Sequence, residues 1–144
     1  MTGAWNHALG RATILVERLA RLRLLRAGLA LMVPDAERTC AAEEARLTLS
    51  IWSDPDIKNE GARKATLALA QASDHEYIVA SMAEEASRAG LAKCDADIAA
   101  DHDRLSLGKR ELDWLIATAG QQREESIIAP GGTRHTWHPA TSGG

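Results

Sequence analysis

The sequence predicts an all-helical fold, an elongated helical hairpin or small bundle built on one long C-terminal helix, and three observations carry the prediction. The stretch from Asp74 to Ala119 reads as one unbroken helix, with Ser73 placed to cap its start, Glu76 to close a capping box, and Gly120 to suit a left-handed stop. Within it Leu91, Ile98, Leu105 and Leu112 recur every seventh residue as an apolar column. Hydrophobic residues make up 45% of the 144, yet aromatics only 3% and there is no Phe, so the apolar content is mainly Ala and Leu. Such a composition favours helices packed closely on small side chains.

At about 1.5 Å per residue the long helix would run roughly 69 Å and must find support along its length. The positions completing its seam, Cys94, Asp101, Gly108 and Leu115, are apolar at only half the places, which suits a hairpin better than a regular zipper. Gly90 and Gly108 each cost about 1 kcal/mol against Ala inside a helix, so a break at Gly90 is the main rival to a single rod.

In chain order, the first helix is expected from about 4 to 33, ended by Pro34, whose ring cannot continue it. Ala8, Ala12, Leu15, Leu19, Leu22, Leu29 and Val33 form its stripe, with Arg26 intruding. A second set, Ile14, Leu24, Leu25 and Leu31, lies off that stripe, so this helix needs partners on more than one side. A second helix is expected over about 35–52 with Ala41, Ala45, Leu49 and Trp52 inward. A third is expected over about 55–72, capped by Asp54 ahead of Pro55 and burying Ala62, Ala65, Leu69 and Ala72. The fourth covers 74–119, giving a single helical domain over 1–120, and the polar, Gly-rich stretch 121–144 is expected to be a disordered tail.

From Trp52 onward the string Ser53-Asp54-Pro55-Asp56-Ile57-Lys58-Asn59-Glu60, then Ala62-Arg63-Lys64, an Ala and Leu run and a long charged helix, resembles small helical-hairpin and coiled-coil proteins encoded by phages and prophages. The resemblance covers Ser53 to Leu115 and is most specific at Lys58, Asn59, Glu60 and Arg63. It implies an elongated helical hairpin and a phage or prophage origin, and it names no biochemical role. The chain departs from that pattern at Gly61, Gly90 and Gly108, where helix formers are expected.

Charge narrows the functions. The net charge of −3 offers no global basic field for nucleic acid or membrane. Its distribution is uneven: Met1 to Val33 carries +4 and Asp74 to Ala119 carries −5, which suggests that these helices lie together. Two cysteines, Cys40 and Cys94, are too few for a disulfide framework, so a reduced, cytoplasmic protein is expected, in a bacterial host if phage encoded. Charges interrupt Ile14 to Val33 as far as Arg26, so no membrane span is expected.

Catalytic motifs fail in turn. No His follows a Glu by three residues, as di-iron bundles require, and the Glu pairs are adjacent where a magnesium site would space them as Glu-x-x-Glu. Asp97 and Asp101, within the cluster Asp95, Asp97, Asp101, His102 and Asp103, could share a helix face toward a cation, or simply face water. His135 and His138 flank Trp137 in the tail, a partial zinc pattern or a short partner motif. No enzyme, catalytic residue, metal, cofactor or small-molecule substrate is therefore expected.

Arg11 and Arg18, with Arg21 toward the edge, share one sector of the first helix and are the candidate nucleic-acid contacts, while Arg23 and Arg26 fall elsewhere; the other reading has the Arg stems covering apolar surface while pairing with the acidic helix. The leading expectation is a helical interaction protein that self-associates as a homo-oligomer or docks on a protein partner. The alternatives are an accessory DNA-binding factor in phage recombination or replication, and an acidic inhibitor that uses Asp95, Asp97, Asp101 and Asp103 to imitate nucleic acid before a host nuclease or defence system.

Overall fold

The computed structural model describes residues 2–126. They form three helices and, among the described residues, no strand: α1 (Thr2–Trp52), α2 (Glu60–Ser73) and α3 (His75–Ser126). The all-α class and the long C-terminal helix are as expected. The contacts group into two compact units, a larger one over Glu17–His102 and a smaller one whose described residues are 2–16 and 103–126.

In the larger unit α1 lies antiparallel to α3, as the pairs Arg18 with Asp101, Arg26 with Asp95 and Arg46 with Asp74 show by running in opposite chain directions. The inward side of α1 carries Leu19, Leu22, Leu29, Val33, Cys40 and Leu47, and that of α3 carries Tyr77, Ala80, Glu84, Leu91, Cys94, Ile98 and Asp101. Both sets keep a seven-residue spacing, which holds one face of each helix toward the other.

The expected stop at Pro34 does not occur; Pro34 is a helix-interior residue of α1 and is exposed. An interior proline costs about 3 kcal/mol, and the packing of buried Leu19 before it and Cys40, Leu47 and Ile51 after it outweighs that cost. The continuous helix also corrects the inward face expected for residues 35–52. Ala41, Ala45, Leu49 and Trp52 are exposed, because the register runs unbroken by sevens from Val33 to Cys40 and Leu47 where a new helix would have restarted it.

α2 begins later than expected. Asp54 does not cap it; its Oδ1 accepts from the backbone of Asp56 at 2.9 Å, closing a local turn. Asn59 is the cap, its Oδ1 accepting from Ala62 N at 2.7 Å. α2 has no buried residue, so Ala62, Ala65, Leu69 and Ala72 form no core. Its ties to α1 are the Arg63 guanidinium, 5.9 Å from the centroid of the Trp52 ring, and Gln71 with Glu44.

The cap of α3 is Asp74, whose Oδ1 accepts from Tyr77 N at 2.9 Å. Ser73, the expected cap, belongs to α2, with its hydroxyl donating to Leu69 O at 2.8 Å. α3 then passes without a break through Gly90, Gly108 and Gly120. Gly120 does not stop it, and 121–126, expected to be disordered, are its last turns. Gln121, Gln122, Arg123 and Glu124 are adequate helix formers, and a single glycine costs only about 1 kcal/mol. The rest of the expected tail, including His135, Trp137 and His138, lies outside the described residues. No helix of the described residues is long and apolar enough to cross a membrane.

In the smaller unit residues 2–16 of α1 lie against 103–126 of α3, with Ala8 buried and Ala12, Leu15, Leu105, Leu112 and Leu115 half-buried. The Arg11 guanidinium grips Glu111 through both carboxylate oxygens, at 2.7 and 2.8 Å.

Candidate interaction surfaces

The sequence-derived seam lies inward. In the larger unit Leu91 and Ile98 are half-buried beside fully buried Cys94 and Asp101. In the smaller unit Leu105 and Leu112 are half-buried. These four leucine and isoleucine side chains hold helix to helix within the chain.

The candidate nucleic-acid arginines differ in their surroundings. Arg11 is held by Glu111 in the smaller unit, and in the larger unit Arg18 forms an ion pair with Asp101, Nε 2.7 Å from Oδ2. Arg21 is exposed and makes no ion pair among the described residues. Further cross-helix pairs join Arg26 to Asp95 and Arg88 to Glu37. Within the larger unit, part of the charge asymmetry in the sequence is met by Arg18 and Arg26 pairing across the helices with Asp101 and Asp95.

The acidic set is likewise partitioned. Asp101 has no solvent-exposed side-chain surface, and Asp95 is engaged by Arg26. A second group, invisible in the sequence because it joins two helices, brings Glu43, Asp74 and Glu76 together. Arg46 sits among them, Nε at 2.7 Å from Glu43 and a terminal nitrogen at 2.7 Å from Asp74 and 3.5 Å from Glu76. The bond from Tyr77 N and the neighbouring guanidinium hold the Asp74 carboxyl below the usual carboxylate range, and Glu43 and Asp74 push the Arg46 pKa up. Arg46 thereby clamps the helix ends together, offsetting one of the three acidic charges.

The two thiols are free and buried. The neighbouring Glu84 carboxylate, with burial, raises the pKa of Cys40. Cys94 Sγ donates to Leu22 O at 3.2 Å, crossing the seam.

What remains outward is unusually apolar. In the larger unit Leu24, Leu25, Leu31 and Met32 of α1 are exposed, Leu24 to 76% and Leu31 to 75%, as are Leu49, Leu69, Val79 and Met82. Three of the four residues expected off the main stripe are in this group. The fourth, Ile14, is exposed in the smaller unit, together with Leu9, Val16, Leu107, Trp114 and Ile116. There Ile14, Leu15, Leu107 and Gly108 line a groove of about 430 Å³, and Trp5, Leu115, Ile116 and Gly120 another of about 540 Å³. Among the described residues the buried apolar side chains of the larger unit are Leu19, Cys40, Leu47, Ile51, Ala80 and Cys94, so its exposed large apolar side chains outnumber its buried ones. No family model, curated protein or solved structure matches this chain.

Proposed function

We propose that this chain is a non-enzymatic helical interaction protein that acts by self-association or by docking on a protein partner through its outer helical faces. The carrying observation is the exposed aliphatic face of α1 in the larger unit, formed by Leu24, Leu25, Leu31 and Met32 on the side away from α3. A helix supported from one side carries polar residues on the other, and contiguous exposed apolar surface marks a place where something packs.

The engagement of Arg11 and Arg18 by Glu111 and Asp101 supports a packing role for these arginines over a phosphate-binding one. The pairing of Asp95 and Asp101 with Arg26 and Arg18 weakens the acidic-mimic reading in the same way. A phage or prophage origin stays part of the proposal on the resemblance over Ser53 to Leu115, and the genes flanking this one test it.

Sedimentation of the purified chain over a concentration series, with chemical crosslinking alone and in host extract, tests the function. Concentration-dependent mass growth or a specific crosslinked protein is expected. A monomer at every concentration with no crosslinked partner overturns the proposal.

A further inference from the structure

The positions that share Gly28's face of α1 are those three, four and seven residues away on either side. Three away lie Leu25 and Leu31, four away Leu24 and Met32, and seven away Arg21 and Asp35. The face is therefore a palindrome in chemistry: a small centre, aliphatic pairs around it, and opposite charges at its two ends. All seven residues are exposed and all lie in the larger unit. With about 100° per residue, the centre of this face lies roughly 140° around α1 from the seam that holds α3, so α3 leaves it open.

No intrachain neighbour crowds Gly28. A Cβ added there would meet nothing within 4 Å, whereas one at Gly90 would touch Leu29. The same holds at Gly10, Gly108 and Gly120, so the open position alone marks no contact; what sets Gly28 apart is its place between the aliphatic pairs, where the missing side chain lets a second backbone pass close by.

We infer that a second copy of this chain docks on this face, α1 against α1, antiparallel and two-fold symmetric about Gly28. The inference rests on the self-association reading above. Residue pairs equally far from Gly28 then meet, so Leu24 faces Met32, Leu25 faces Leu31, and Arg21 of each copy faces Asp35 of the other. An interface with a two-fold axis must be self-complementary, and this face meets that condition in both shape and charge. A parallel arrangement would set Arg21 against Arg21 and Asp35 against Asp35, so the charges also select the orientation. Asp35 already pairs with Arg38 of its own turn, an exposed contact that leaves the carboxylate free to accept a second cation. Arg18 and Arg38, ten residues to either side, make the one like-charge juxtaposition, which the Arg18 ion pair with Asp101 and the exposure of Arg38 weaken.

The test is sedimentation of the full chain and of Arg21→Asp and Asp35→Arg, from about 1 to about 100 µM, with helicity checked by circular dichroism. The wild type is expected to dimerise. Each variant alone places like charges at both ends of the interface and is expected to dimerise at least about tenfold more weakly. Mixed one to one, they restore both ion pairs, and native mass spectrometry is expected to find the heterodimer above either homodimer. Dimers unaffected by either variant, or variants that stay apart on mixing, overturn the inference while leaving self-association through another face intact. A wild type that is monomeric throughout overturns it too, and leaves docking on a different protein as the surviving function, which the crosslinking above tests separately.

Discussion

Arg18 and Asp101 form an asymmetric ion pair: the guanidinium is 52% exposed, whereas the carboxylate 2.7 Å away has no exposed surface at all. The acid occupies a seam position where its neighbours in the repeat are Cys94 and Ile98. A buried carboxylate is tolerated where cationic and hydrogen-bonding partners offset its lost hydration, and α1 delivers Arg18 to that place.

Removing the exposed partner should therefore hurt more than removing the buried one. Arg18→Met keeps the stem but leaves the buried charge without its guanidinium, and is expected to cost about 2 kcal/mol, discounted from the deeply buried case because Arg18 is half in water. Asp101→Leu frees an arginine that solvent can hydrate and should cost less. The double variant should recover much of the Arg18→Met loss. Urea midpoints of the three variants check this, and a double variant no better than Arg18→Met would contradict it.

Gly90 is half-buried on the seam, yet an added methyl would sit 3.6 Å from Leu29 Cδ2, an ordinary contact. Gly90→Ala is expected to stabilise by about 0.5 to 1 kcal/mol through helix propensity and a small gain in packing. Thermal melts decide it, and a lower melting temperature would mean that the seam is tighter than the contact distance implies.

Asp74 links stability to acid. Its carboxyl titrates below the ordinary value because Tyr77 N and Arg46 favour the charged form. The stability it contributes is present above the unfolded value of about 3.9 and is lost as pH falls through the lowered folded value. Asp74→Asn retains a capping oxygen but not the charge. The gap in stability between wild type and variant should thus close as pH falls below about 4, and a gap that stays constant on acidification would refute the linkage.

The thiols should be slow to react. Cys40 has its pKa raised by Glu84 and burial, and Cys94 is buried with its thiol on Leu22 O. Thiolate is the reactive form, so alkylation of the folded chain near neutral pH should proceed no faster than unfolding, while urea should release both thiols together. Fast labelling of Cys40 in native buffer would show that the end of α1 opens locally.

The sequence alone was enough for the helical class, for the inward stripe from Ala8 to Val33 and for the inward column at Leu91, Ile98, Leu105 and Leu112, because each depends on local periodicity that any supported helix must bury. It was also enough to separate Leu24, Leu25 and Leu31 from that stripe, and so to mark the candidate surface before the fold was known. Tertiary structure decided the rest. Continuity through Pro34, and with it the choice of Cys40 and Leu47 over Ala41, Ala45 and Leu49, follows from packing that overrides a local cost of about 3 kcal/mol. Asn59 and Asp74 took the caps from Asp54 and Ser73 because the helix starts are set by where the chain must turn back along α1. The partners of Arg11, Arg18 and Arg46 lie on a helix distant in the chain, and no spacing within α1 could name them.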